Sequence, residues 1–264
     1  RNAAKSIFST QKAEIGYSFT PWLRELSKGS NLHGVAGYWN LDEKQGITAG
    51  FRWFNHSETN IWDKEGNDAG TFTPKNWSVD VGYARKLTDD LSVGATARFI
   101  RSDMSGLDKD DVANAVAFDL GLYYRRNFEN WEQSQWAVGL QASNFGTKID
   151  YQASKVAAGG MIDHVFTDKH RLQGTLDVAC QVLPNTNWGG SVGVEYTLLQ
   201  IVAIRGGYHY GEQDNKLQLY GTLGCGVGCH HIKADFAYLI PEKDSLLKNT
   251  WQVALSIDLG LFKR

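Results

Sequence analysis

The 264-residue chain contains no run approaching the roughly 20 consecutive apolar residues that a membrane-spanning helix requires, and its mean hydropathy is -0.37. A helical membrane protein is thereby excluded. Proline is scarce, at 4 residues, as a chain of many paired strands would have it, because proline cannot donate to a strand ladder. Charge of either sign is also without excess: the formal net charge is -2 and the pI about 6.4, so there is no electrostatic footprint for nucleic acid. Cysteine occurs only three times. Cys225 and Cys229, with His230 and His231 in "GCGVGCHH", imitate a metal cluster. Four residues along a strand span about 13 Å at ~3.3 Å per residue, too far for a disulfide or a shared ion. Cys180 stands in phase with Leu176, Val178 and Val182 and is another apolar filler. No disulfide framework, metal site or cofactor is expected. The opening "RNAAKSIFSTQ" lacks the apolar core of a signal peptide, so the chain is either cytoplasmic or a mature or trimmed product.

What the sequence has is alternation. Trp251, Val253, Leu255, Ile257, Leu259 and Leu261 form one stripe, with Gln252, Ser256 and Asp258 between them. Period two with one oily and one wet face describes a strand between an apolar medium and water. The same rhythm runs through Ala13 to Phe19, Ile47 to Trp53, Trp77 to Tyr83, Val93 to Phe99, Val116 to Tyr124 and Trp136 to Ala142. It continues in Leu172 to Val182, Val192 to Tyr196, Ile204 to Tyr210, Leu217 to Cys229 and Ile232 to Ile240.

The wet faces carry charge in mid-strand. Arg52, Asp80, Arg98, Asp119, Arg125, Asp177, Glu195, Arg205, Lys233 and Asp235 all fall there. Such positions are ordinary in a transmembrane barrel's lumen and uncommon in the core of a β-sandwich. Glycine and alanine on the apolar stripes would also pack a thin sandwich core. Connections alternate between short ones, as at Thr88, Asn127, Thr167 and Leu198, and long polar ones from Asn55 and from Ser102. Aromatics gather near strand ends, among them Tyr17, Tyr38, Trp39, Phe54, Trp77, Tyr123, Tyr124 and Trp136. Long loops at one end, short turns at the other and two aromatic girdles describe an all-β, antiparallel up-and-down barrel in the bacterial outer membrane. A strand of about 10 residues plus a connection of ~8 gives about 14 strands in a single domain spanning residues 1–264. The stretch from Ala157 to Gly160 breaks the alternation, which suggests a kinked strand with a lateral opening at Gly159 and Gly160.

Nothing in the sequence assembles an enzyme. The seven histidines are scattered, and no Ser–His pair is apparent on the lipid side, where an outer-membrane phospholipase would need one. The alternating Gly224, Gly226 and Gly228 lack the helix and lysine of a phosphate loop; they mark close approach by something filling the barrel, or room for curvature.

Several stretches together carry a resemblance: "YSFTPWLREL" from Tyr17, "AVAFDLGLYYRRNF" from Ala115, "EYTLLQIVAIRGGYHY" from Glu195 through "LYGTLGCGVGCHHIKADFAYLIP", and "NTWQVALSIDL". The chain resembles the PorV/PorQ family of Bacteroidota outer-membrane proteins, relatives of the FadL-like barrels. The resemblance implies a 14-stranded barrel without enzymatic activity. Its well-known members work in type IX secretion, where the barrel docks beside a translocon and carries exported proteins. The family places an N-terminal hatch before an "N-P-A-K"-like motif, matched here by "NAAK" from Asn2, so a hatch is expected to be missing from the chain.

Two functions follow as expectations. In the first, the long loops at 55–76 and 102–113 hold a protein partner, either the translocon or secreted cargo, through Ile61, Trp62, Phe72 and Met104, and the charge-paired lumen conducts no solute. In the second, a FadL-like barrel passes a hydrophobic, lipid-like small molecule and releases it at the Gly159–Gly160 kink. The polar lumen favours the first.

Overall fold

The computed structural model describes residues 2–22, 24, 29–62, 65–104, 112–131, 133–147, 153–183, 185–211, 219–229, 231–242, 245 and 247–260, without the Ala69 side chain. Leu217, His230, Leu261 and most of the loop after Met104 lie outside the described residues. After a short 3-10 helix, Ala3–Phe8, come β1 (Ala13–Pro21), β2 (Asn31–Asn40), β3 (Gln45–Asn55), β4 (Thr59–Trp62), β5 (Asp68–Phe72), β6 (Lys75–Lys86), β7 (Leu91–Asp103) and β8 (Val112–Asn127). They are followed by β9 (Gln135–Gly146), β10 (Ser154–Thr167), β11 (His170–Leu183), β12 (Asn187–Leu198), β13 (Val202–Gly211), β14 (Tyr220–Cys229), β15 (Ile232–Pro241) and β16 (Trp251–Asp258).

Fourteen of these strands form one closed antiparallel barrel, each paired with its sequence neighbour, and β1 pairs with β16 to complete the ring. β4 and β5 stand apart as a two-stranded hairpin in the long connection between β3 and β6. The short connections 41–44, 87–90, 168–169 and 199–201 share one end, here the turn end; the hairpin and the other long connections share the loop end.

Alternation decides which way each side chain points. Val253, Leu255 and Ile257 on β16 and Leu176 and Val178 on β11 lie exposed on the outer wall. Ser256 and Ala254 line the interior. Rings gather on the outside at two levels. Near the loop end, Trp251, Phe19, His33 and Trp53 contact one another in succession at 5.6, 5.1 and 5.4 Å between centroids, and Trp77 meets Phe99 at 5.6 Å. Near the turn end, Tyr124 lies 5.3 Å from Trp136. Amphipathic rings at these two levels match the headgroup regions of a bilayer. Not every strand-end aromatic belongs to a girdle: Phe54, Tyr38 and Tyr123 point inward.

Two strands escaped the alternation reading. On β2 the outward positions are His33, Val35, Gly37 and Trp39, too mixed in polarity to form a stripe. At Gly159 and Gly160, where a kinked strand with a lateral opening is expected from sequence, β10 pairs without interruption from Lys155 to Asp163 with β9, and as far as Val165 with β11. The contrast vanishes there because Ala157 to Gly160 carry almost no side chain on either face.

The 3-10 helix sits inside the barrel at the turn end, against β2, β3, β6, β7 and β8. Asn2 caps it, accepting from the Ala4 N–H at 3.0 Å while its Nδ2 donates to the wall carbonyls of Leu122 and Leu140 at 3.0 and 3.2 Å. Ser92 Oγ donates to the Ala4 carbonyl at 2.7 Å. Ile7 and Phe8 bury themselves with Ala84, Tyr123 and Ala137. The wall is hollowed to admit the helix: a Cβ on Gly94 would lie 2.5 Å from the Ala4 nitrogen, and one on Gly121 would collide with the Asn2 amide.

Leu255→Arg, facing lipid, is expected to cost about 2–4 kcal/mol at mid-bilayer, whereas Ser256→Arg in the lumen costs little. Folded yield in lipid vesicles, read by heat-modifiable gel migration, checks the difference; equal yields would mean the faces are reversed.

Candidate functional site

Inside the barrel the inward charges gather in groups. On β3, β6, β7 and β8, Arg98 lies between two carboxylates, 2.9 Å from Asp119 and 3.8 Å from Asp80, and Arg52 reaches Asp80 at 3.3 Å. Its inner pair is dry, with the Arg98 and Asp119 side chains 11% and 5% exposed, whereas Arg52 is 49% exposed. Asp119 also accepts from the backbone N–H of Asn144 at 2.8 Å, and Asn144 Oδ1 accepts from Arg98 at 2.5 Å. Asn144 has φ 61°, a left-handed conformation that asparagine tolerates better than most residues, and the β8–β9 register slips beside it, between Phe118 and Leu120. The irregularity in the wall therefore lies here, and the Asp119 carboxylate holds it.

A second group lies across the lumen on β12, β13 and β15, where Arg205 bonds Glu195 through Nε and Asp235 through Nη1. Its neighbour Gly226 has no side chain because a Cβ would run into the Asp235 carboxylate and the Arg205 guanidinium. The space read from the alternating glycines is thus filled, at this position, by the ion pair. Lys233 lines the same region, and Asp177 lies under Gly159 near the middle of the lumen. Arg125 does not join the carboxylates; it donates to the Phe8 carbonyl at 3.0 Å, with its guanidinium 4.8 Å from the centre of that ring.

The sequence reading missed a third group. Asp163, 1% exposed, accepts two bonds from Arg171 at 2.6 and 2.5 Å and one from Gln135 at 2.8 Å. Its inward phase was hidden because the small residues preceding it on β10 erased the strand's pattern. Also unforeseen is a Ser–His contact: Ser134 Oγ lies 3.0 Å from His164 Nδ1, beside Trp131 at the turn-end girdle. Ser134 is wholly buried and its Oγ already accepts the Val165 N–H at 3.2 Å. That arrangement pins the 128–134 connection to β10 and presents no accessible nucleophile.

At the loop end a cavity of about 750 Å³ opens among the strand termini. Leu32, Phe54, Ile100 and Met104 give it apolar walls, and Arg52, Arg98 and Lys155 give it a cationic floor. His56 Nε2 and Asn76 Nδ2 at 3.0 Å, and Ser102 donating to Asn76 Oδ1 at 2.8 Å, brace its rim. Burial pushes the His56 imidazole below its ordinary pKa. Of the loop residues singled out from sequence, Trp62 is 61% exposed at the tip of the β4–β5 hairpin, Ile61 and Phe72 are half-buried, and Met104 stands at the cavity.

A closed 14-strand barrel with an apolar outer wall, two aromatic girdles and a charged lumen is a bacterial outer-membrane β-barrel protein. The Pseudomonas putida toluene transporter TodX superposes with a TM-score of 0.63 at 10% identity, over 97% of this chain and 91% of that one. A mutant described as the TodX deltaS2S3 monoaromatic hydrocarbon channel gives 0.61 at 11% identity, over 97% and 92%. A Pseudomonas aeruginosa FadL homologue gives 0.52 at 10%, over 97% and 92%. Likeness at such identity concerns the fold alone. The family model for the type IX secretion system protein PorV matches residues 1–187, and the chain belongs to that family. No protein of curated function matches the sequence.

Arg98→Met would leave Asp119 without its cation in a dry site, Asp80 keeping Arg52, and is expected to cost about 3–5 kcal/mol. Lys233→Met, on an exposed lumen position, should cost under ~1 kcal/mol. Urea unfolding of the two variants in lipid vesicles checks this, and equal losses would contradict the dry-cluster reading.

Proposed function

We propose that this barrel is a non-enzymatic protein-interaction or shuttle component of type IX secretion, holding the translocon or a secreted cargo protein through its loop-end surface. Membership of the PorV family supports a role in secretion. The observation that carries the choice of surface is the β4–β5 hairpin, which leaves the barrel sheet and presents Trp62 to solvent. An exposed aromatic beside half-buried Ile61 and Phe72 has the composition of an interface anchor. The polar lumen, crossed by ion pairs, has little of the apolar lining that a lipid conduit needs.

Replacing residues 60–72 with a Gly/Ser linker should leave the barrel folded while its co-purifying protein is lost from detergent-solubilised outer membrane. Retention of the partner by the linker variant would contradict the proposal.

A second reading rests on the loop-end cavity, whose Leu32, Phe54 and Ile100 walls suit a hydrophobic small molecule. Uptake of such a molecule would then fall severalfold in Ile100→Asp, with protein partners retained. Unchanged uptake would dismiss it. Exit at Gly159 and Gly160 does not accompany this reading, since β10 is fully paired there.

A further inference from the structure

The 3-10 helix obstructs only part of the lumen. It packs on the β2 to β8 side, and the arc from β10 to β15 faces a cavity of about 570 Å³ at the turn end. Thr167, Lys169 and Gln200 stand at its outer rim, with Glu195, Arg205 and Asp235 at its inner end. A further cavity of about 380 Å³ is lined by the same Glu195 and Arg205 and continues toward the loop end past Thr175, Gly193 and Thr222 to His209. The two cavities share Glu195 and Arg205 in their linings.

The distance they cover is a large part of the membrane. Thr197 lines the first cavity and Ser191 the second, both on β12. Six residues of strand span about 20 Å, or ~15 Å of depth at a tilt of about 40°, against an apolar band of about 25 Å. Hydration distinguishes the Arg205 group from the Arg98–Asp119 pair opposite, where only Arg52, at 49% exposed, is comparably open. The Arg205, Glu195 and Asp235 side chains are 38%, 27% and 35% exposed, several times more than Arg98 and Asp119 in the otherwise similar group opposite. A charge group so exposed inside a closed barrel stands in water. The wall around it is low, with Gly193, Gly207 and Gly226 at inward positions.

The geometry points to an aqueous conduit along the β10–β15 wall for ions and small hydrophilic solutes, narrowed at the Glu195–Arg205–Asp235 group. Pairing of inward charges does not by itself fill this side of the barrel. Two carboxylates share one guanidinium at the narrowing, and the guanidinium sets the charge balance there. The inference is independent of the protein-holding role.

The full chain, reconstituted in planar phosphatidylcholine bilayers, should give stepwise conductance in potassium chloride. Arg205→Gln removes the cation bonded to both carboxylates, leaving Lys169, Arg171 and Lys233 as the cations lining that cavity, and should raise the potassium-to-chloride permeability ratio roughly threefold. Thr222→Trp should cut the conductance severalfold, and heat-modifiable migration confirms that each variant is folded. A folded wild type with no steps above bare lipid overturns the proposal. So does conductance that ignores both substitutions but changes in Phe8→Ala, which would place the route beside the 3-10 helix; should Arg205→Gln not fold, Thr222→Trp decides alone.

Discussion

In the hydrocarbon of a bilayer no water is available to an unpaired backbone N–H or C=O, so a sheet that enters it must close on itself. Here the closure is the pairing of β1 with β16, from Glu14 opposite Asp258 to Phe19 opposite Val253. Once the ring is complete, each side chain must face either lipid or lumen, and strict alternation follows. The one proline in β1, Pro21, stands at the strand's last residue, where a missing donor matters least.

The lumen is not uniform. On one side the N-terminal 3-10 helix, anchored by Asn2, Ser92 and Arg125, fills the turn end, and the Arg98–Asp119 pair nearby is dry. On the other, Arg205 and its two carboxylates stand in open space. Similar residues therefore do different work: Asp119 fixes the β8–β9 irregularity through Asn144, whereas Arg205 and its two carboxylates edge the turn-end cavity. The loop end adds apolar walls at Leu32, Phe54 and Ile100 and the projecting β4–β5 hairpin. The proposed partner surface and the proposed conduit thus occupy different parts of one barrel.

The architecture was largely legible in the chain because lipid and water impose opposite polarity on alternate residues, a contrast that survives in any window of seven or eight. It failed where contrast fails. His33 and Gly37 blurred β2, and the run from Ala157 to Gly160 on β10 looked like a kink though every residue there is paired. The charged positions of the lumen could be named, but their partners could not. Arg125 stood among the carboxylates in the sequence reading yet turns to the Phe8 carbonyl, and Asp163 with Arg171 went unnoticed.

The sequence by itself determined that this is a transmembrane barrel of about 14 strands, with one face in lipid and a charged interior, because side-chain period is a local property of the extended chain. Only the tertiary structure decided which charges meet, where the wall bulges, and that residues 3–8 fold back into the mouth on one side and leave the other open. Those outcomes depend on the register between strands and on contacts between residues about a hundred positions apart, such as Asn2 with Leu122. No periodicity within a single strand records them.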